Sequence, residues 1–187
     1  MNSDIALKEW TVVVQALESG RQLLLLRKGG IRDPRGAFQL EHREFLLYPT
    51  AEHQEEQFIQ PECRGLFPVK ANAGSADRVE FRVYAGVALV QEIRNLKILT
   101  GLEEYHLWTP EFLEKRMSYR PRSPLLAVVV RAYRLPKPVF KNVRPEYAGC
   151  KSWVTLAEPV SLEGAEPVVE NRRFRSDLEK IAAGLEG

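Results

Sequence analysis

Residues 115–151 carry ten lysines and arginines against one carboxylate, Glu146, a net charge of +9. Tyr119, Tyr133, Phe140 and Tyr147 are interleaved with them, and Trp153 follows just beyond. Cations of this density neutralise phosphates, and flat rings among them offer faces on which unpaired bases stack. Arg116 and Arg120 are four apart and share one face of any helix that holds both. Arg131 and Tyr133 are two apart and share one side of a strand. In the competing reading the tyrosines pack inside and the arginines form a solvated rim. That rim would face residues 41–62, where six glutamates stand against Arg43, a net −5.

A second basic feature is LLLLRKGG, where an apolar run ends in Arg27, Lys28, Gly29 and Gly30. Glycines let backbone N–H groups approach a phosphate, and Arg27 and Lys28 add charge. The G-x-x-x-x-G-K-[ST] spacing of a nucleotide-binding loop is absent, so the pattern predicts a turn or a polyanion-contacting loop.

Other groups carry weaker chemistry. His53 beside Glu52 and Glu56 has the makings of a general base. His42, His53, His106, Cys63 and Cys150 lack zinc-site spacing, so no metal is expected. Cys150 next to Lys151 is a conceivable nucleophile, but a cysteine ahead of a strand more often packs. Asp77, Glu80 and Arg82 echo a nuclease metal motif imperfectly, with Glu41, Glu44 and Glu92 as further carboxylates.

The elements that must position these groups follow from patterning. Residues 11–17 and 22–27 predict two strands around a turn at Gly20. A helix over residues 5–17 is the alternative, opposed by the β-branched run 11–14. Short strands are expected at 38–40 and 44–48, then a short helix over 51–59 capped by Thr50. Residues 70–78 read as an exposed loop. Residues 79–90 alternate as a strand, with a bend or bulge at Gly86. Thr109-Pro110-Glu111 opens a helix that Pro121 and Pro124 close. Residues 125–131 read as a central strand buried on both faces. Residues 134–147, with three prolines, are expected to run extended over the surface. Residues 152–156 predict a strand, and Ser176-Asp177-Leu178-Glu179 has capping-box spacing within a helical segment over 167–187. The sum is an α+β domain over residues 1–187. Its sheet is mostly antiparallel, open or rolled into a small barrel, with a few peripheral helices.

The 187 residues are 44% hydrophobic and 28% charged, enough apolar material for a sizeable core. No apolar stretch approaches the roughly 20 residues of a membrane span. The first ten residues lack signal-peptide features, and the two cysteines lie far apart. These features predict a cytoplasmic protein with reduced thiols. The net charge of +2 is too mild to mark a polyanion binder; the asymmetry along the chain is the signal.

ALKEW, LLLRKGGI, FLLYPTAEHQ, WTPEFLEKR, PLLAVVVRAYRL and YAGCKSWV occur in this order over nearly the whole chain. Together they resemble the bacterial family catalogued as domain of unknown function 1802. The resemblance brings no established activity or catalytic residues; it implies a DNA-related role in a restriction or defence setting. The R/K-G corner after an early apolar strand, and the late strand VVVRAYRL leading to a proline, are also similar to β-barrel domains of the PUA, ASCH and EVE type. The resulting expectation is a nucleic-acid-binding domain, for DNA or RNA and with room for a modified base, rather than an enzyme, with no cofactor. Arg27, Lys28, Arg116, Arg120 and Arg131 would contact phosphates, and Tyr133 and Trp153 would stack or line a base pocket. The alternatives are a metal-dependent nuclease, and a protein-interaction module whose −5 and +9 segments pair within or between chains.

Overall fold

A computed structural model describes residues 1–28, 38–52, 54–67 and 77–186. The glycine-rich loop after Lys28, His53 and most of the predicted loop 70–78 lie outside the described residues. Seven strands form one sheet: β1 (Asn2–Trp10), β2 (Leu24–Arg27), β3 (Glu44–Thr50), β4 (Arg78–Ile93), β5 (Leu125–Asn142), β6 (Trp153–Ser161) and β7 (Glu166–Pro167). Their order is β2-β5-β4-β3-β1-β6, with β7 paired to β5. Every pairing is antiparallel except β1 with β3, which run parallel from Ala6↔Leu46 to Trp10↔Thr50. Among the described residues three α-helices accompany the sheet: α1 (Thr11–Glu18), α2 (Pro110–Ser118) and α3 (Asn171–Glu186). The fold is α+β with a mostly antiparallel sheet, as the patterning predicts.

The sheet is covered on both faces, and strand alternation divides the apolar residues between two cores. In β3, Phe45 and Leu47 enter the larger core while Leu46 and Tyr48 enter the smaller. In β1, Leu7 and Ala6 divide in the same way. Burial on both faces is why such strands read as unbroken apolar runs rather than as alternation. The hydrogen-bonded path is open rather than a closed ladder. It curls far enough that the Arg27 side chain on β2 reaches β1 and the residue preceding β6.

Several local expectations are corrected. Residues 11–17 form α1, not a strand, because Val12, Val13, Val14, Ala16 and Leu17 are all buried and packing overrides β-branched propensity. The Val12 N–H at its start donates to the Gln54 side chain, 3.2 Å away. Gly20, at φ 71°, then takes the left-handed conformation past its end. Residues 38–40 are not a strand, and residues 51–59 hold a single turn (Glu56–Phe58) instead of a helix. The segment expected to run extended over the surface is extended and largely exposed, but its first part belongs to β5: Pro136 and Pro138 lie within that strand, and Pro145 opens a short turn beyond it. The register there jumps from Phe81↔Val139 to Val83↔Arg134, so Pro136 and Pro138 sit in a bulge that asks no ladder hydrogen bond of them. The β4 bulge falls between Val87 and Leu89, just after Gly86.

The helix at 109 starts as expected: Thr109 Oγ1 accepts the Phe112 N–H at 3.3 Å. It ends at Ser118, and Arg120 lies beyond it at φ 51°, so helical spacing does not place Arg120 on the face of Arg116. The proposed capping box is interior to α3. Its start is capped by Glu170, whose carboxylate accepts the N–H groups of Arg172 and Arg173 at 3.1 and 3.2 Å. Phe174, Ile181 and Leu185 bury its inner face, and Gly184 permits contact with Leu102, which an added Cβ would approach to 2.8 Å.

His106 is 3% exposed, and its Nδ1 accepts the Trp108 N–H at 3.2 Å. Burial lowers its pKa to about 4 against the upward pull of Glu103. The unfolded chain protonates this ring near pH 6.5 and the folded chain does not until about 4. The contribution to stability is therefore complete above pH 6.5 and is lost as pH falls toward 4. About 2 kcal/mol should be gone at pH 5. NMR titration of the three histidines checks this: one ring must stay neutral to about pH 4, and a His106 midpoint near 6.5 would refute the assignment.

Candidate nucleic-acid interface

The curl of the sheet leaves a cavity of about 220 Å³ where the ends of β1, β2 and β3 meet α2 and the residues preceding β6. Its wall holds four cations, Lys8, Arg27, Arg116 and Lys151, against two carboxylates, Glu9 and Glu52, an excess of +2. Trp10, Trp108 and Phe112 form the aromatic side. Phe112 stacks on Trp108 with centroids 4.2 Å apart, and Trp10 meets Trp108 edge-on at 5.1 Å. Trp10 is the half-buried member, whereas Trp108 and Phe112 are buried.

Arg27 builds the cavity. Its Nη1 donates to Glu9 Oε1 at 2.7 Å and to the Lys8 carbonyl at 3.2 Å, and its Nη2 donates to Ser152 Oγ at 2.8 Å. Its guanidinium also lies 4.8 Å from the centre of the Phe38 ring. Arg116 projects from α2 over Phe112 at 5.9 Å, and among the described residues it has no carboxylate ion pair. Burial, and then the Arg27 charge, lowers its pKa. Lys8 donates to the Gly149 carbonyl at 3.0 Å; burial lowers its pKa although Glu52 pulls it up. Lys151 donates to the Glu146 carbonyl. Among the described residues, the buried Nε of Arg27, Nε of Arg116 and Nε1 of Trp108 have no hydrogen-bond partner. Chemically this is a cationic pocket, rich in donors, with a flat apolar wall.

The predicted residues divide. Arg27 and Arg116 converge on the cavity. Lys28 turns inward at 1% exposure, with its Nζ 2.5 Å from the Met117 carbonyl; burial, then Arg116, lowers its pKa. Arg120 lies over Tyr119 at 5.3 Å, in the turn after α2. Arg131 and Tyr133 do share a side, 5.6 Å apart. Neither faces the cavity: Arg131 reaches α3, donating to Asn171 Oδ1 and lying 5.0 Å over Phe174, while Tyr133 packs on Tyr84, with centroids 6.0 Å apart, against the smaller core. Trp153 packs between Phe38, His42 and Phe45, and its Nε1 donates to the Gln39 carbonyl at 2.8 Å.

Sequence reasoning missed Lys8, Trp10 and Trp108. Lys8 and Trp10 sit in a strand that the pattern did not reveal. The Trp10 side chain followed by a basic wall forms only once β1 meets α2. Cys150 is exposed on the rim, and Cys63 is buried. The carboxylates weighed as a metal site do not converge. Glu80 pairs with Arg82 at 2.7 Å, Glu44 lies opposite Gly86, and no group of three metal-ligating side chains occurs among the described residues. The acidic and basic segments meet in the Lys115–Glu55 pair at 3.8 Å. Among the described residues no helix is long and apolar enough to cross a membrane.

The family model for domain of unknown function 1802 matches residues 6–180. The chain belongs to this family. No curated protein matches it. Among solved structures it is similar to a ZmASCH point mutant from Zymomonas mobilis, at 10% identity over 98% of each chain and a TM-score of 0.48.

The Arg27–Glu9 pair is the cavity's structural member, with side-chain exposures of 14% and 7%. Replacing one partner strands the other as a buried charge, so Glu9→Ala should cost about 3 kcal/mol in urea unfolding at pH 7. Combining Arg27→Met with Glu9→Leu should cost less than Glu9→Ala alone. A double variant at least as unstable as the single one would show that the pair is not held for charge compensation.

Proposed function

We propose that this chain is a nucleic-acid-binding domain and that its pocket takes one unpaired nucleotide. The observation that carries the reading is the convergence, from four separate parts of the chain, of Lys8, Arg27, Arg116 and Lys151 around a cavity walled by Trp10, Trp108 and Phe112. The excess positive charge suits a phosphate, and the half-buried Trp10 ring suits a base face. A cavity of about 220 Å³ falls below the range of drug-sized ligands and favours a single base with its phosphate. A base reaches such a recess only when it is out of a helix, so single strands should bind better than duplexes. Phosphate contacts confer affinity without sequence preference, and any discrimination would come from the recess itself.

Under this reading Arg116 and Lys151 touch phosphate, Arg27 shapes the wall while lending charge, and Trp10 stacks. Arg131, Tyr133 and Trp153 lie outside the pocket and do not contribute to it. The nuclease alternative has no comparable support, since its carboxylates stay apart. A restriction or defence setting remains part of the proposal only through the family resemblance to DNA-related proteins.

Titration of single- and double-stranded DNA and RNA, followed by tryptophan fluorescence at two salt concentrations, tests it. Single strands should quench Trp10, with affinity falling steeply as salt rises. Arg116→Ala and Lys151→Ala should each weaken binding about tenfold and reduce the salt slope by about one, whereas Arg131→Ala should leave both unchanged. Salt-independent binding, or equal affinity in the Arg116→Ala and Arg131→Ala proteins, would overturn the pocket assignment.

A further inference from the structure

A second cavity, about 150 Å³, lies at the far end of the β4–β5 ribbon. Arg78, Lys141, Arg144 and Phe140 line it, with Glu158 as its carboxylate, an excess of +2. Arg78 opens β4 opposite Asn142, and Phe140 lies opposite Glu80, so alternation puts Arg78 and Phe140 on one face of the ribbon. The Phe140 ring is 55% exposed, the most exposed aromatic side chain among the described residues. Lys141 pairs with Glu158 at 2.8 Å and Arg144 with Glu146 at 3.7 Å; Arg78 has no ion pair among the described residues. An exposed ring flanked by cations is poor design for a core and good design for stacking.

One segment of the chain connects this patch to the first pocket. Tyr147 lines the second cavity, while Gly149, Cys150, Lys151 and Ser152, two to five residues further on, line the first. Tyr147 also meets the Tyr48 ring at 6.4 Å, and the Lys8 ammonium lies 5.5 Å over that same Tyr48 ring. One short segment therefore borders two cavities of the same sign, on the end of the sheet where β1 and β3 finish and β4 begins.

We infer that residues 144–151 form a track along which a single-stranded nucleic acid runs from the first pocket to Phe140, with Arg78 and Arg144 on its phosphates and Phe140 stacked on a second base. The inference rests on the nucleotide-pocket reading and extends it from one nucleotide to a strand of several. An acidic peptide would satisfy the cations but would leave the Phe140 ring without a flat partner, which favours the nucleic acid.

The test compares two probes, thymidine 5′-monophosphate and an oligothymidylate of about six nucleotides, with the matching uridylates. Arg78→Ala and Phe140→Ala change exposed side chains, and circular dichroism checks that both variants are folded. Each should leave mononucleotide affinity unchanged and weaken the oligomer about tenfold, the worth of one stacked base or one phosphate contact. An oligomer that binds both variants as tightly as the parent overturns the track while leaving the pocket intact. A parent protein that binds neither probe overturns the pocket reading and the track with it. A glutamate oligomer of equal charge that competes as well as the oligothymidylate would also overturn it, since charge alone would then account for the patch.

Discussion

The arrangement depends on one buried guanidinium. Arg27 ends the edge strand β2, yet its donors go to Glu9 and the Lys8 carbonyl on β1 and to Ser152 ahead of β6. These strands stand at opposite ends of the hydrogen-bonded order. A sheet that curls without closing leaves a seam, and side chains must hold it where backbone pairing stops. Removing the two charges from water is costly, so the pair is better understood as fixing geometry than as adding stability. Its consequence is a recess whose base is a neutralised ion pair and whose remaining cations, Lys8, Arg116 and Lys151, outnumber the one remaining carboxylate, Glu52.

Many cations elsewhere on the surface are instead paired. Arg82 and Arg134 reach Glu18, Arg94 reaches Glu92, and Arg173 and Lys180 share Asp177. Exposed pairs of this kind are worth little energetically, but they flatten the local potential. Arg116 and Lys8 differ because they are partly removed from water and make no carboxylate ion pair among the described residues, with a carbonyl or an aromatic ring as the direct neighbour and Glu9 and Glu52 further off in the wall. Uncompensated charge in a partly dry recess costs free energy in the empty protein, and a protein retains such an arrangement when an anion offsets that cost on binding.

What was legible in the sequence was whatever depends on near neighbours. Thr109 and Pro110 announce α2, the Val79–Phe81–Val83 alternation announces β4, and LLAVVV announces a strand covered on both sides. What failed depended on distant partners. Residues 11–14 are β-branched, and it is the burial of Val12, Val13 and Val14 that makes them helical. The N–H that begins α1 is met by Gln54, 42 residues away. The prolines of β5 are exposed, as the sequence suggests, but their membership of a strand was hidden because the bulge that accommodates them is a property of its pairing with β4. The site followed the same rule. The excess of cations over residues 115–151 could be counted along the chain, but which of them face one another is decided by the β5 twist and the end of α2. Arg116 and Arg131, similar in a linear reading, thus end on different sides of the molecule.

Lys28 makes the same point from the opposite direction. By type and position it was the most natural phosphate contact, the cation at the mouth of a glycine-rich loop. It instead donates to the Met117 carbonyl near the end of α2, where the last turn leaves carbonyls without intrahelical partners. A lysine there satisfies a helix end and suits the negative pole of its dipole. It also ties α2 to the end of β2, holding Arg116 over the cavity that Arg27 defines. The two adjacent cations therefore have complementary roles: one fixes the helix, the other fixes the seam, and the charge left in the recess comes from Lys8 on β1 and from Arg116 and Lys151, at the two ends of the basic segment.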